Sequence, residues 1–190
     1  GLHAGKEEHK MGLRASNTAQ LHFEDCRVPA DHVLGEVDRG YGIALGALDG
    51  GRLGIAAQAL GIAEAALDEG KKYARDRKAF GKPLTDYQAT QFAIADSAVD
   101  IETAWLLVLR AAADKDAGSE RTAKASSMAK LFASEACGRV VDRMLQVHGG
   151  YGYVEDYPIE RLYRDARVTR IYEGTSEVQR IVIAREVLGG

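Results

Sequence analysis

Cysteine and proline are scarce in this chain of 190 residues, which holds two of the first, Cys26 and Cys137, and three of the second. The two cysteines stand far apart with no CxxC spacing, which argues against a disulfide framework or a zinc ribbon and leaves reduced, buried thiols as the expectation. Excess charge is missing too. Lys and Arg number 25 against 28 Asp and Glu, a net of −3, so nothing in the charge balance draws nucleic acid or an anionic membrane. No apolar run nears the roughly 18 residues of a membrane span, and Gly1-Leu2-His3-Ala4-Gly5 has neither the basic nor the apolar region of a leader. The chain also lacks an initiator methionine, which suggests a start partway through a longer parent. Its five histidines, at 3, 9, 22, 32 and 148, show no HExxH or other paired spacing, and metal chemistry is set aside. A small ligand or a protein partner in a reducing compartment is what this leaves.

The first 37 residues read as β, with Leu21 and Phe23 alternating against His22 and Glu24 in the two-residue period of a half-buried strand. Two lone strands are marginal in water, so this piece must lean on a partner or on the domain C-terminal to it. From Tyr41 onward alanine dominates. Leu53, Ala56, Ala57, Leu60, Ala63, Ala66 and Leu67 recur at helical spacing, with Glu64, Asp68 and Lys71 on other faces, and predict a first long helix. A charged loop, 75–83, ends it, and Thr85-Asp86-Tyr87-Gln88 has the capping-box spacing of a second helix start. That helix is expected to run to about Ala113, followed by a polar turn over 114–119. A third helix carries Met128, Leu131, Phe132, Val140, Val141 and Leu145 until Gly149-Gly150 stops it. Three long helices joined by short loops predict a bundle. Pro158 suits the first position of a short helix reaching Ala166. A last helix is expected near Ser176, where Ser176 and Gln179 repeat the capping-box spacing, and it ends at Gly189-Gly190.

Several side chains admit two readings. Arg77 to Gly81, RKAFG, could grip a phosphate or merely solvate a loop. Gln88 could cap a helix or hold a ligand, and Asp49 with Arg52 could form an intrahelical ion pair. Gly149-Gly150-Tyr151-Gly152 follows a helix, not a strand, and lacks the last glycine of GxGxxG, so by composition it is a helix stop. Glu173, in RIYEGTSE, lies between Ile171-Tyr172 and Gly174 in a turn between helices. An apolar setting disfavours the charged form of a carboxylate and so suits it to take up a proton, although surface turns are also rich in glutamate.

Residues 164–186, RDARVTRIYEGTSEVQRIVIARE, closely resemble the C-terminal signature of the acyl-CoA dehydrogenases. QVHGGYGY at 146–153 and DRKAFGKPLTDYQ at 76–88 resemble that family's flavin-contacting segments, in the right order, and LDGGR at 48–52 resembles its substrate segment. MGLRASNTAQLHFEDCRVP at 11–29 is similar to the closing strands of its middle β domain. The resemblance implies a mainly α fold, with the end of the β domain over 1–37 and an up-and-down helical bundle of the acyl-CoA dehydrogenase type over 38–190. It implies FAD as cofactor and an acyl-CoA thioester as substrate, with Glu173 as the base that takes the α-proton while the β-hydrogen leaves as hydride to the flavin. Arg77, Phe80 and Gln88 would contact the FAD, as would Gln146, Gly149 and Gly150 from a neighbouring subunit and Thr175 and Glu177 at a helix N-terminus. Asp49, Arg52, Tyr172 and Gly174 would line the thioester's path. Some members carry the base on the earlier helix, where Gly51 stands here. The resemblance further implies a homotetramer or dimer of dimers, an electron-transfer flavoprotein as partner, and the bacterial cytoplasm or the mitochondrial matrix as compartment. An acyl-CoA oxidase, or a non-catalytic module that contributes FAD-contacting residues to another subunit, are the alternatives.

Overall fold

A computed structural model describes residues 1–119 and 122–189, the side chain of Asp49 excepted. Among these residues the fold is mainly α. Two three-residue strands, β1 (Leu2–Ala4) and β2 (Leu21–Phe23), are followed by α1 (Gly40–Asp76). A small hairpin, β3 (Lys78–Ala79) and β4 (Lys82–Pro83), leads to α2 (Gln88–Asp116), α3 (Thr122–His148), α4 (Pro158–Ala166) and α5 (Ser176–Leu188).

The start of α1 lies beside the end of α2, with Gly50 next to Lys115. On the other side Asp100 of α2 meets Arg139 of α3. The three long helices therefore run up, down and up, with α3 packed against all of α1, α2, α4 and α5. The core between them is built of small side chains: Ala56, Ala59, Ala63 and Ala66 on α1, Ala104 and Ala111 on α2, Ala129 and Ala133 on α3. Alanine keeps helix propensity high and lets backbones approach closely, so dispersion contacts accumulate without bulky groups. Val140, Val141, Met144 and Ile159 fill the wider end.

Several expectations need correction. Ala57 is exposed, and Ala59 takes its place in the stripe, because the buried face drifts around a 37-residue helix. The loop 75–83 is partly a hairpin, turned by Phe80 and Gly81, which both have positive φ. The Thr85 to Gln88 capping box does not form. Tyr87 is the N-cap with no side-chain cap, Gln88 is the first helical residue, and Gln91 reaches back to the Thr85 carbonyl at 2.9 Å. The helix also continues past Ala113 to Asp116. At α5 the cap is Thr175, whose hydroxyl accepts from the Val178 N–H, while Ser176 points elsewhere. Cys137 is buried but Cys26 is exposed.

The N-terminal strands pair antiparallel, Leu2 opposite Phe23. Their apolar residues are not half-buried: Leu21 and Phe23 are 62% and 67% exposed. Alternation tells which residues share a face but not what covers it, and no layer lies on this one among the described residues. The segment touches the bundle further on, where the Leu13 N–H donates to Asp165 Oδ1 at 2.6 Å and Arg164 donates to the Met11 carbonyl at 2.8 Å. Gly12 permits that approach, since a Cβ there would stand 2.6 Å from the Arg164 carbonyl oxygen.

Candidate active site

The turn before α5 carries two successive left-handed residues, Glu173 at φ 53° and Gly174 at φ 86°. Glycine adopts that conformation freely, whereas a residue with a Cβ is strained there by roughly 1–2 kcal/mol, so its surroundings must hold it. They do so from three sides. Tyr172 donates its hydroxyl to Gln58 Oε1 on α1, and burial pushes its phenol above the ordinary value. Gln179 Nε2 donates to the carbonyls of Glu173 and Gly174, each at 3.0 Å. From α3, Lys130 Nζ donates to the Gly174 carbonyl at 2.7 Å. Glu135 fastens the flanks, accepting from Ser176 Oγ at 2.7 Å and from Arg170 at 3.4 Å.

The turn directs the Glu173 carboxylate onto α1 at Gly51. A Cβ on Gly51 would stand 2.5 Å from Glu173 Oε2 and 3.1 Å from Oε1, so the carboxylate occupies the space a side chain there would fill. Oε2 is buried and receives no hydrogen bond among the described residues. Such an oxygen has forgone its hydration without a donor in return. Arg52, next along α1, is buried; burial chiefly, and the Arg52 charge to a lesser degree, lower the Lys130 ammonium. Asp49 shares this helix, but its side chain lies outside the described residues.

At the start of α5, Thr175 caps the helix. Glu177 is exposed, and its own backbone N–H, then the Thr175 hydroxyl, hold its carboxyl below the usual value. An anion at that N-terminus suits a hydroxyl donor better than a phosphate.

The remaining predicted residues sit elsewhere. Arg77, Gly149 and Gly150 line one cleft of about 440 Å³ together with Tyr73, Leu84, His148 and Tyr151. The Arg77 guanidinium lies 5.4 Å from the centroid of the Tyr151 ring, and Tyr73 stacks on His148 at 4.3 Å. Gly149 has φ 57°, and a Cβ on it or on Gly150 would meet nothing within 4 Å. Phe80, 99% exposed, tips the hairpin, which Tyr87 pins by donating to the Ala79 carbonyl at 2.6 Å. Gln88 and Gln146 are exposed and do not line the cleft. Lys130 contacts the Glu173 turn and His148 lines the cleft, so the rise of α3 between them, about 1.5 Å per residue, separates the two groups by about 27 Å.

Sequence reasoning missed Lys130, Gln179, Glu135 and Gln58. A signal for Lys130 existed, since it shares the helical stripe of Ala133 and Cys137, and a lysine among core positions is rare unless it has a task.

The family described as acyl-CoA dehydrogenase, C-terminal domain, matches residues 38–188. The mitochondrial short-chain specific acyl-CoA dehydrogenase of Mus musculus is 56% identical over 99% of this chain and 45% of its own length. The structure of butyryl-CoA dehydrogenase from Megasphaera elsdenii superposes with a TM-score of 0.97 at 47% identity, covering 99% of this chain and 49% of that one. A chain in the structure described as the electron transferring flavoprotein of Acidaminococcus fermentans gives 0.98 at 49% identity, covering 100% and 50%. The chain thus spans about half the length of the curated relatives it matches. Sequence and fold both match, and the chain belongs to the acyl-CoA dehydrogenase family.

Proposed function

We propose that the protein carrying this chain dehydrogenates acyl-CoA thioesters to trans-2-enoyl-CoA with FAD as cofactor and passes the electrons to an electron-transfer flavoprotein. The observation that carries this reading is the buried Glu173 Oε2, which accepts no hydrogen bond among the described residues and is seated against Gly51. The α-proton of a thioester is weakly acidic. Its removal needs a base freed of water and a donor for the enolate oxygen that develops. Glu173 is the base, and its own backbone N–H, fixed by the left-handed turn, is the donor. Tyr172 and Gly174 border the carboxylate, and Arg52 and Asp49 lie along α1 beside it, where the thioester and its CoA arm pass. Bound FAD would supply the acceptor for the β-hydrogen and its electron pair, while Glu173 takes the α-proton.

The residues present suit that cofactor. Arg77 offers a guanidinium for a pyrophosphate, Tyr151 and Tyr73 offer aromatic faces, and the bare backbone of Gly149 and Gly150 opens onto free space in the same cleft. Phe80, Gln88 and Gln146 flank that end, and Thr175 and Glu177 serve hydroxyl groups at the other. With about 27 Å of α3 between the two ends, one cofactor is held by two copies of the chain, each contributing one end. Assembly into a homotetramer joins two such pairs. Residues 1–37 complete a β domain and 38–190 form the bundle domain.

The test is Glu173→Gln in the flavin-loaded protein. Flavin content should be unchanged, and anaerobic bleaching of the flavin by saturated acyl-CoA should fall by roughly 10²–10⁴-fold. Near-normal turnover in that variant overturns the assignment.

A further inference from the structure

Beneath the Glu173 turn lies a polar floor that the chemistry above does not use. Lys130 and Gln179 are both fully buried. The first donates to the Gly174 carbonyl at 2.7 Å, and the second to the carbonyls of Glu173 and Gly174 at 3.0 Å each. A buried ammonium carries a desolvation penalty, and a bundle that needed only packing would be served as well by an apolar residue of similar volume. The two carbonyls also need donors, because a left-handed pair ahead of α5 has no helical partner for them. Together the two side chains close on consecutive peptide oxygens of the strained residues.

We infer that Lys130 and Gln179 are positioning residues for the base: they clamp the carbonyls of Glu173 and Gly174, hold the left-handed backbone, and so aim the Glu173 carboxylate at Gly51. This rests on the reading of Glu173 as the base. Lys130 adds a field to the clamp. The charged groups facing it are Glu135 on its own helix, Glu173 in the turn, Arg52 on α1 and Glu177 on α5. Burial lowers its ammonium to about 8 against the pull of Glu135 and Glu173, so at neutral pH it is still a cation.

The experiment compares Lys130→Met, Gln179→Leu and Glu173→Gln in the assembled, flavin-loaded protein. It reads kcat and KM for flavin reduction, and amide hydrogen exchange over residues 173–175. Lys130→Met should lower kcat by about 10–100-fold with KM nearly unchanged. Gln179→Leu should lower kcat in the same way, because it removes the donor to both carbonyls. Both should speed amide exchange in the turn. A lysine that served only the fold would leave kcat and the exchange of the turn at their wild-type values in the assembled protein. Wild-type kcat and exchange in both variants, with Glu173→Gln inactive, overturn the clamp. Should Lys130→Met fail to fold, Gln179→Leu decides alone: slow exchange with full kcat overturns the inference, and fast exchange with reduced kcat supports it. An active Glu173→Gln overturns the base reading instead, a different result because the exchange of the turn does not depend on catalysis.

Discussion

Alanine at position 51 would place a methyl group 2.5 Å from Glu173 Oε2 and 2.7 Å from its Cδ. These and Oε1 at 3.1 Å are the nearest atoms it would meet, all of them on the Glu173 carboxyl group. To regain ordinary contact the carboxylate must retreat by about 0.9 Å, which a flexible side-chain end can do without disturbing the bundle. Its reactive position is then lost. A misplacement of about 1 Å at a reacting group costs roughly 10²-fold in rate, or about 2.7 kcal/mol of barrier. The fold responds in the opposite direction, because glycine inside a helix is worse than alanine by about 0.5–1 kcal/mol. Gly51→Ala should therefore raise Tm by a few degrees and depress anaerobic flavin reduction by about a hundredfold. Stopped-flow bleaching and thermal unfolding of the same preparation measure both. A variant that reduces flavin at the wild-type rate refutes the seating of Glu173 on Gly51, and one that is less stable refutes the claim that only the carboxylate yields.

Two further outcomes concern stability. Burial draws the Asp100 carboxyl upward, but hydrogen bonds from Arg139 and Arg143 at 2.6 Å and 2.7 Å outweigh it and hold the group below its ordinary 3.8. The stability this pair of bonds contributes is present above that value and is lost as pH falls through the lower folded value, so the acid unfolding profile of Asp100→Asn should be flatter there than that of the parent. Met144, fully buried at the wide end of the core, should cost about 2–5 kcal/mol on truncation to alanine, measured by denaturant unfolding with an unchanged m value.

The helices were legible because their signal is local. Alanine and leucine at helical spacing predict α1 to α3, and the glycines at 149 and 189 mark real helix ends. Cap identity was less so, since the Ser176 and Thr85 spacings each fit a capping box while tertiary contacts decide otherwise: Ser176 is drawn to Glu135, and Gln179 to two carbonyls. Glu173 stood out because its neighbours form a recognisable run. Its partners did not, because Gly51, Gln58 and Lys130 are brought to it only by the packing of α1 and α3. The strands show the opposite limit. Leu21 and Phe23 alternate as a buried strand would, yet their cover depends on parts of a fold that alternation does not describe.

The length of α3 between Lys130 and His148 has a consequence at the level of whole assemblies. If Glu173 is the base and the Arg77 cleft the flavin cradle, as proposed above, a rod of this length would make each catalytic centre a joint product of two chains. Under that arrangement a chain spoiled at Glu173 still lends a sound cradle, and a chain spoiled at Arg77 still lends a sound base. Neither is active with its own kind, but paired with each other they rebuild one complete centre. Two such lesions in trans would complement, while the same two on one chain would not.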